Sequence, residues 1–558
     1  MISSSMPARL RRLPAALLFA CLVATAAFGS AYNGRPRLVV LVVIDALRAD
    51  LLERQRPHFV ENGFRLFLER GASFADCHYD HAATWTSAGH ATLLTGAHPA
   101  AHGISANYWW NARLKKAVTP VEDDATQLVG AGKDPAAGAS PRNLLASTLG
   151  DELKLATAGK SRVFSVSLKD TAAVLAGGRA ADAAYWIQRS SGAFVTSSYY
   201  MAELPEWART FNDSGWTERL WNREWKDEEG TLMGTTPRQR KDGETSFYWI
   251  VGATPLGSEY TFDFSRELIV NEKLGTGPAT DLLILSLSSN DLLLHNLGPD
   301  SPAAGALVRA TDRQLADFVD FLGRQLGLAN VWMVLTADHG FEPTAEYAAR
   351  FRMPTDQLPY RKNVQERLNK LLSESLSPGK PRSYVNLFRD HVAFVSAEAF
   401  AEAGIRDEAE AERRVGEALL MAAPFRGYYT RAQILSGSLP PDDMSRKYAH
   451  SYLPYGGWYV MGMLPPYHAG ETDIRAASGL PYVYNNHGSP YAYNTHVPLV
   501  FYGLPFQPGT YRTASQPIDM AATLSSLLGI TPPTHAAGRV LTEALAPSSP
   551  ANSPPATK

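Results

Sequence analysis

The hydrophobic positions of this chain fall into short unbroken runs, each followed by polar residues capable of chemistry. Leu38-Val39-Val40-Leu41-Val42-Val43-Ile44 ends at Asp45, and Leu282-Leu283-Ile284-Leu285-Ser286-Leu287 leads to Asp291 and His295. Val331-Trp332-Met333-Val334-Leu335 leads to Asp338 and His339, and His487 precedes Val497-Pro498-Leu499-Val500-Phe501. Runs this apolar predict strands covered on both faces of a parallel sheet, because half-exposed strands alternate instead. Between them lie helical patterns. Leu315, Phe318, Val319, Leu322 and Leu326 line one face of the segment 303–327, and Leu145, Leu149 and Leu153 repeat ahead of a strand at 162–167. Further helices are predicted near 54–70 and from Thr86 through Leu94. The alternation predicts an α/β fold, a doubly wound and mainly parallel sheet flanked by helices.

Two stretches break the rhythm. Residues 180–275 are rich in Trp and Tyr, with hairpin-like runs at 184–200 and 246–264. Residues 345–485 hold a strand pair near 383–396, a charged helix at 407–422 and a Pro/Tyr-rich region at 453–484. Both fall between the polar residues named above, so they are expected as cap insertions over the active face of one catalytic domain spanning 32–545. The stretch 546–558, rich in Pro and Ser, is expected to be a disordered tail.

The amino terminus has a different character. Arg9, Arg11 and Arg12 precede the apolar stretch Leu13 to Phe28, and Gly29-Ser30-Ala31 supplies small residues for cleavage. Residues 1–31 therefore read as a secretory signal peptide. A membrane anchor is the alternative, but the stretch is short for a span of about 20 residues. The mature chain is expected in the periplasm or outside the cell, with no membrane span. Removing the leader takes away three Arg and no acid, which moves the formal charge from −2 to −5. No basic block suggests nucleic-acid binding. Only Cys77 remains after cleavage, so no internal disulfide is possible.

Parallel sheets place their chemistry beyond the carboxyl ends of the strands. Asp45, Asp291, His295, Asp338, His339 and His487 would converge there as oxygen and nitrogen ligands, enough for two divalent metals. Singly, each has an ordinary explanation: an Asp at a strand end usually caps a helix or makes a turn, and a lone His is usually a hydrogen-bonded core residue. His496, close in sequence, is the alternative to His487. A second constellation is Thr84-Trp85-Thr86-Ser87-Ala88-Gly89-His90. Thr86 opens a small-residue helix, where free N–H groups favour an incoming phosphoryl group, although Thr86 or Ser87 would equally serve as an N-cap.

In this order, with Thr86 in a T-x-x-G-H context, Asp291-x-x-x-His295, Asp338-His339-Gly340 and His487-Gly488, the chain resembles the alkaline phosphatase superfamily. It is most similar to the threonine-nucleophile, phosphate-irrepressible (PafA-like) bacterial alkaline phosphatases, from about residue 37 to 543. The resemblance implies two zinc ions: Asp45, Asp338, His339 and the Thr86 oxygen on one, Asp291, His295 and His487 on the other. It also implies that Thr86 is the nucleophile of a phosphate monoesterase working through a phosphothreonine, on small phosphorylated substrates. Asn107 and Lys169 would contact the phosphoryl oxygens. The family's Lys-x-Arg pair is broken here, because Ser167-Leu168-Lys169-Asp170-Thr171 has Thr171 at the Arg position. Thr cannot copy a two-pronged donor, and Arg179 is a candidate to replace it in space.

Three alternatives follow. A phosphodiesterase or nucleotide pyrophosphatase uses the same metals and Thr, and Thr171 leans that way. A sulfatase needs Cys or Ser with a following Pro and Arg, which the Thr86 segment lacks. An exported binding protein has no need of a nucleophile beside an open metal position.

Overall fold

The computed structural model describes residues 34–130, 137–238, 246–358, 361–470 and 486–545. The expected leader, the tail 546–558 and part of the Pro/Tyr-rich region lie outside the described residues. The centre is an eleven-stranded mixed sheet. Five neighbouring strands are parallel, in the order Val331–Thr336, Leu38–Ile44, Asp281–Leu287, Val163–Ser167 and Ala183–Ile187. Every residue of Leu38–Ile44 and Asp281–Leu287 is buried, as their unbroken apolar runs require. Full burial of each Leu, Val or Ile is worth roughly 1.5–3 kcal/mol, so these strands anchor the sheet. Helices Pro302–Leu326 and Pro255–Asn271 cover it through one apolar stripe each. The fold is α/β, with a large, mostly parallel central sheet flanked by helices.

Two expected elements differ. The helix near 54–70 is two helices, Ala49–Gln55 and Phe64–Arg70, separated at Pro57, whose ring cannot continue a helix. The run 246–264 is helical rather than a hairpin: Thr254 caps Pro255–Asn271, with Pro in the first turn. Of the span 180–275, Ala183–Ile187 and Phe194–Ser197 are strands of the main sheet itself.

Within 345–485 a second, four-stranded antiparallel sheet forms from Val385–Arg389, Val392–Val395, Tyr459–Met463 and Gly427–Thr430. The helices Arg361–Leu376 and Glu408–Ala422 share an apolar core with it. Its first hairpin turns at Asp390-His391, both in the left-handed region with φ of 52° and 61°. Such conformations are uncommon for residues with a side chain and tend to mark functional sites.

Candidate active site

The carboxyl ends of three adjacent parallel strands meet at one edge. Asp45 follows Leu38–Ile44 directly, and Asp338 stands two residues beyond Val331–Thr336. Asp291 and His295 share one face of the helix Ser289–Leu297, four residues apart, with His295 Nε2 3.3 Å from Asp291 Oδ1. His487 arrives by another route. The strand Leu499–Tyr502 runs antiparallel to Val331–Thr336, so the chain just before it lies at the carboxyl edge of the parallel strands. His487 Nε2 is 3.6 Å from Asp291 Oδ1. His496 stands elsewhere, stacked on His78 at 4.4 Å and bonded through Nε2 to the Ala75 carbonyl.

The six residues form two buried triads. One potential ligand atom from each of Asp45, Asp338 and His339 lies within 4.8 Å of the others, and the same holds for Asp291, His295 and His487. The donor chemistry fits cations. His339 Nδ1 is 2.9 Å from the Gly340 carbonyl and His487 Nδ1 is 2.8 Å from the Thr84 carbonyl, so each ring donates there. That fixes the tautomer and leaves each Nε2 lone pair turned toward carboxylate oxygens. His339 Nε2 faces Asp45 Oδ1 and Asp338 Oδ2 at 3.4 Å. A lone pair facing a carboxylate repels it unless a cation lies between. Asp45 Oδ1, Asp291 Oδ1 and Asp338 Oδ2 are buried without a hydrogen bond. An ion in a protein interior costs several kcal/mol when uncompensated. A single ammonium, Lys169, faces the three carboxylates, 2.5 Å from Asp291 Oδ2 and 2.6 Å from Asp45 Oδ2. Both triads are therefore suited to divalent metal with nitrogen and oxygen ligands.

The charges respond to this crowding. Burial opposes charge on Lys169, but Asp291 and Asp45 outweigh it and hold the ammonium protonated far above its usual range. Burial likewise disfavours the Asp291 carboxylate, yet Lys169 and His295 hold its pKa well below the ordinary value. Asp45 is pushed up, first by burial and then by Asp338. Burial keeps His339 and His487 neutral by lowering their pKa values, the form in which imidazole binds metal. Ala46, directly after Asp45, has φ 64° and gives its N–H to Asp338 Oδ1 at 3.0 Å.

Thr86 is the first residue of the helix Thr86–Thr95. Its hydroxyl is not spent on capping, because the N-cap position is Trp85 and no side chain of that residue bonds the helix. Thr86 Oγ1 is 3.3 Å from His339 Nε2 and 3.3 Å from Lys169 Nζ. Asn107 takes over the capping role from a distance: its Oδ1 accepts from Ser87 N at 3.1 Å and Ser87 Oγ at 2.7 Å. With Oδ1 so committed, its amide nitrogen is the end left for a ligand. His90 supports the helix start from below, bonded to the Thr86 carbonyl at 2.9 Å and to Ser286 Oγ at 2.8 Å. Arg179 does not fill the place left by Thr171, since its guanidinium donates to the Leu144 carbonyl.

Sequence reasoning missed the turn of the smaller sheet. Asp390 Oδ2 accepts the backbone N–H of Asn107 at 2.8 Å and of Tyr108 at 3.2 Å. The His391 ring packs on Trp85 at 5.4 Å, and the Arg389 guanidinium lies 3.7 Å from the Tyr108 ring centroid. Tyr248, buried and 4.8 Å below the Arg189 guanidinium, was missed as well; burial pushes its phenol up to about 12, while Lys169 and Arg189 pull it down.

With this geometry in hand, the chain can be set beside known proteins. The family model of type I phosphodiesterase / nucleotide pyrophosphatase matches residues 39–409. Alkaline phosphatase PhoV of Synechococcus elongatus is 30% identical, over 92% of this chain and 93% of its own length. A Myroides odoratus protein named a calcium-transporting ATPase is 29% identical, over 94% of this chain and 97% of its own. The crystal structure of wild-type alkaline phosphatase PafA superposes with a TM-score of 0.81 at 26% identity, covering 92% of this chain and 100% of that one.

Proposed function

This chain belongs to the type I phosphodiesterase / nucleotide pyrophosphatase family, within the alkaline phosphatase superfamily, and is an alkaline-phosphatase-like enzyme; we propose that it hydrolyses phosphate monoesters through a phosphothreonine formed on Thr86. The observation that carries this reading is the position of the Thr86 hydroxyl. It lies 3.3 Å from a ligand of one triad and 3.3 Å from Lys169, which touches a carboxylate of each triad.

In this reading Asp45, Asp338, His339 and the Thr86 oxygen would hold one zinc, and Asp291, His295 and His487 would hold the other. Zinc, when bound, would supply Lewis-acid stabilisation of the attacking and leaving oxygens. The chain's own groups do the rest. Thr86 Oγ loses its proton to solvent and attacks phosphorus, forming a P–O bond as the bond to the leaving oxygen breaks in line, and the leaving alkoxide takes a proton from water. Asn107 donates its amide N–H to a non-bridging oxygen, and the Lys169 ammonium balances charge on the transferred group. Water then attacks the phosphothreonine and releases phosphate and free Thr86. The smaller sheet, and the part of the span 180–275 that lies outside the main sheet, would act as a cap over this edge.

We further read residues 1–31 as a cleaved leader and the mature enzyme as periplasmic or secreted. No helix among the described residues is long and apolar enough to cross a membrane. A diesterase reading remains, favoured by Thr171 at the position where monoesterases carry Arg.

The test is a paired assay on zinc-loaded protein with p-nitrophenyl phosphate and its bis-ester, combined with acid quenching. The proposal expects faster monoester turnover, phosphate trapped on Thr86, and Thr86→Ala inactive but still metal-loaded. Faster bis-ester turnover would shift the reading to a diesterase. Label on Ser87, or near-normal turnover in Thr86→Ala, would overturn the mechanism.

A further inference from the structure

Outside the Thr86 site, the segment that leads to the nucleophile carries a second concentration of imidazoles. Asp80 and His81 lie six and five residues before Thr86, His98 lies just beyond the helix Thr86–Thr95, and His450 closes the helix Asp443–His450. Ala82 N bonds the Lys447 carbonyl at 3.1 Å and Ser451 Oγ at 2.8 Å. These bonds hold the 443–451 segment against the segment before Thr86 and bring Asp80 and His450 together.

One potential ligand atom from each of Asp80, His98 and His450 lies within 4.8 Å of the other two. Unlike the two buried triads of the active site, these three residues are half-buried. The His98 and His450 rings stack at 4.0 Å with 11° between their planes. His450 Nδ1 is 2.7 Å from the Asp80 carbonyl and 3.3 Å from Asp80 Oδ2. His98 Nδ1 is buried without a hydrogen bond. Beside it, 6.5 Å from His98 by ring centroid, His81 is fully buried with neither ring nitrogen bonded. Unsatisfied buried imidazole nitrogens are costly, and a ligand that accepts their lone pairs removes the cost.

The ordinary explanation is an ion pair. Arg446 grips Asp80 with Nε 3.0 Å from Oδ2 and Nη2 3.0 Å from Oδ1. This accounts for Asp80 but leaves His81 and His98 without partners. It is also compatible with a metal, because an ionised carboxylate has about four lone-pair positions and the guanidinium uses two. Arg446 would then orient the carboxylate from outside, the usual arrangement around metal ligands.

We propose that Asp80, His98 and His450 form a third divalent-metal site, separate from the Thr86 site, with the unbonded His81 ring next to His98. Two imidazoles and a carboxylate suit zinc, with water completing the coordination. Its role is structural: it ties the 443–451 segment to the chain around Asp80 and Ala82.

The experiment measures bound zinc by mass spectrometry on the full-length protein after loading with zinc and gel filtration. His98→Ala and His450→Ala are each compared with wild type, and folding is checked by circular dichroism. Both variants are expected to lose one zinc equivalent per chain while keeping turnover of p-nitrophenyl phosphate within about threefold of wild type. Mild chelation should lower the melting temperature of wild type in a first step that both variants lack. Equal zinc content in wild type and both variants overturns the proposal, as does equal zinc content in wild type and Asp80→Asn if the His variants do not fold. His295→Ala reports separately on the active-site reading. It should lose turnover and active-site zinc while still showing the first chelation step.

Discussion

Asp390 holds Asn107 by its backbone: the carboxylate oxygen Oδ2 accepts the Asn107 N–H at 2.8 Å and the Tyr108 N–H at 3.2 Å. Asp390 belongs to the smaller sheet, whereas Asn107 caps the helix that begins at Thr86. The two sheets are thus joined at a residue proposed to touch substrate. Removing the carboxylate leaves two N–H groups without their charged acceptor, a loss of about 1–3 kcal/mol in buried settings. Asp390→Ala is expected to lower kcat/KM for monoesters by roughly 10-fold with zinc content unchanged. Because Asp390 works through Asn107, the effect should shrink in an Asn107→Ala background. Independent, additive losses in the double variant would show that Asp390 acts by some other path.

The isolated cation of the site sets a second expectation. Lys169 stands 3.3 Å from Thr86 Oγ1 and contacts Asp45 and Asp291, and neither Thr171 nor Arg179 supplies a second positive group. A monoester carries more negative charge on its transferred group than a diester. Losing a charged hydrogen bond costs about 1.5–3 kcal/mol, so Lys169→Ala should reduce monoester kcat/KM by roughly 10- to 150-fold. Diester turnover should fall much less. Equal losses on both substrates, or zinc loss in the variant, would make Lys169 a structural counter-ion to the carboxylates. Thr171→Arg should raise the monoester preference if the new side chain reaches past Asp170.

Much of the site could be read in the sequence because its residues follow unmistakable strands. The runs before Asp45, Asp291 and Asp338 are apolar apart from Ser286, which favours buried strands, and the chemistry of parallel sheets fixes which end matters. His487 was harder, since it precedes its strand, and only the antiparallel direction of Leu499–Tyr502 brings it to the same edge. The Ser246–Phe264 stretch misled because aromatic residues favour strands, although Thr254-Pro255 carried a helix-start signal. Asp390, His391 and Tyr248 had no such signal. They reach the site through tertiary packing of long insertions, which leaves no period or spacing along the chain. The same holds for Asp80, His98 and His450, drawn from three separate segments.

Glu342 offers a pH-dependent prediction. Burial raises its pKa from an ordinary 4.5 to about 8, although the Tyr493 hydroxyl, donating to Oε1 at 3.1 Å, pulls the other way. The folded state therefore holds a proton that the unfolded chain gives up near its ordinary value. This contribution to stability is fully present below about pH 4.5 and is lost as pH rises through about 8. Melting temperature should accordingly carry a downward slope across that window, and Glu342→Gln should flatten it without changing behaviour at pH 4. An identical slope in the variant would mean that Glu342 is ionised in the folded protein at neutral pH.

Gly89 is the point where the helix Thr86–Thr95 touches the backbone of Asp338, and it admits no larger residue. A Cβ built there would stand 2.1 Å from the Asp338 carbonyl oxygen and 2.7 Å from the carbonyl carbon, both rigid backbone atoms. Its φ is not in the left-handed region, so the requirement is for space alone. Forcing a methyl group into such a contact costs typically about 1–3 kcal/mol and is relieved only by shifting one backbone against the other. Either shift changes the distance between Thr86 and His339, now 3.3 Å, and displaces Asp338 from its triad. Gly89→Ala should therefore lose zinc from the Asp45–Asp338–His339 triad and turnover together, whereas Thr86→Ala should lose turnover alone. Gly277→Ala, where nothing lies within 4 Å of the added carbon, serves as the control and should keep both. Wild-type zinc content and turnover in Gly89→Ala would mean that the helix can move without disturbing the site, and that the close packing of Thr86–Thr95 on Asp338 does not set the position of the nucleophile.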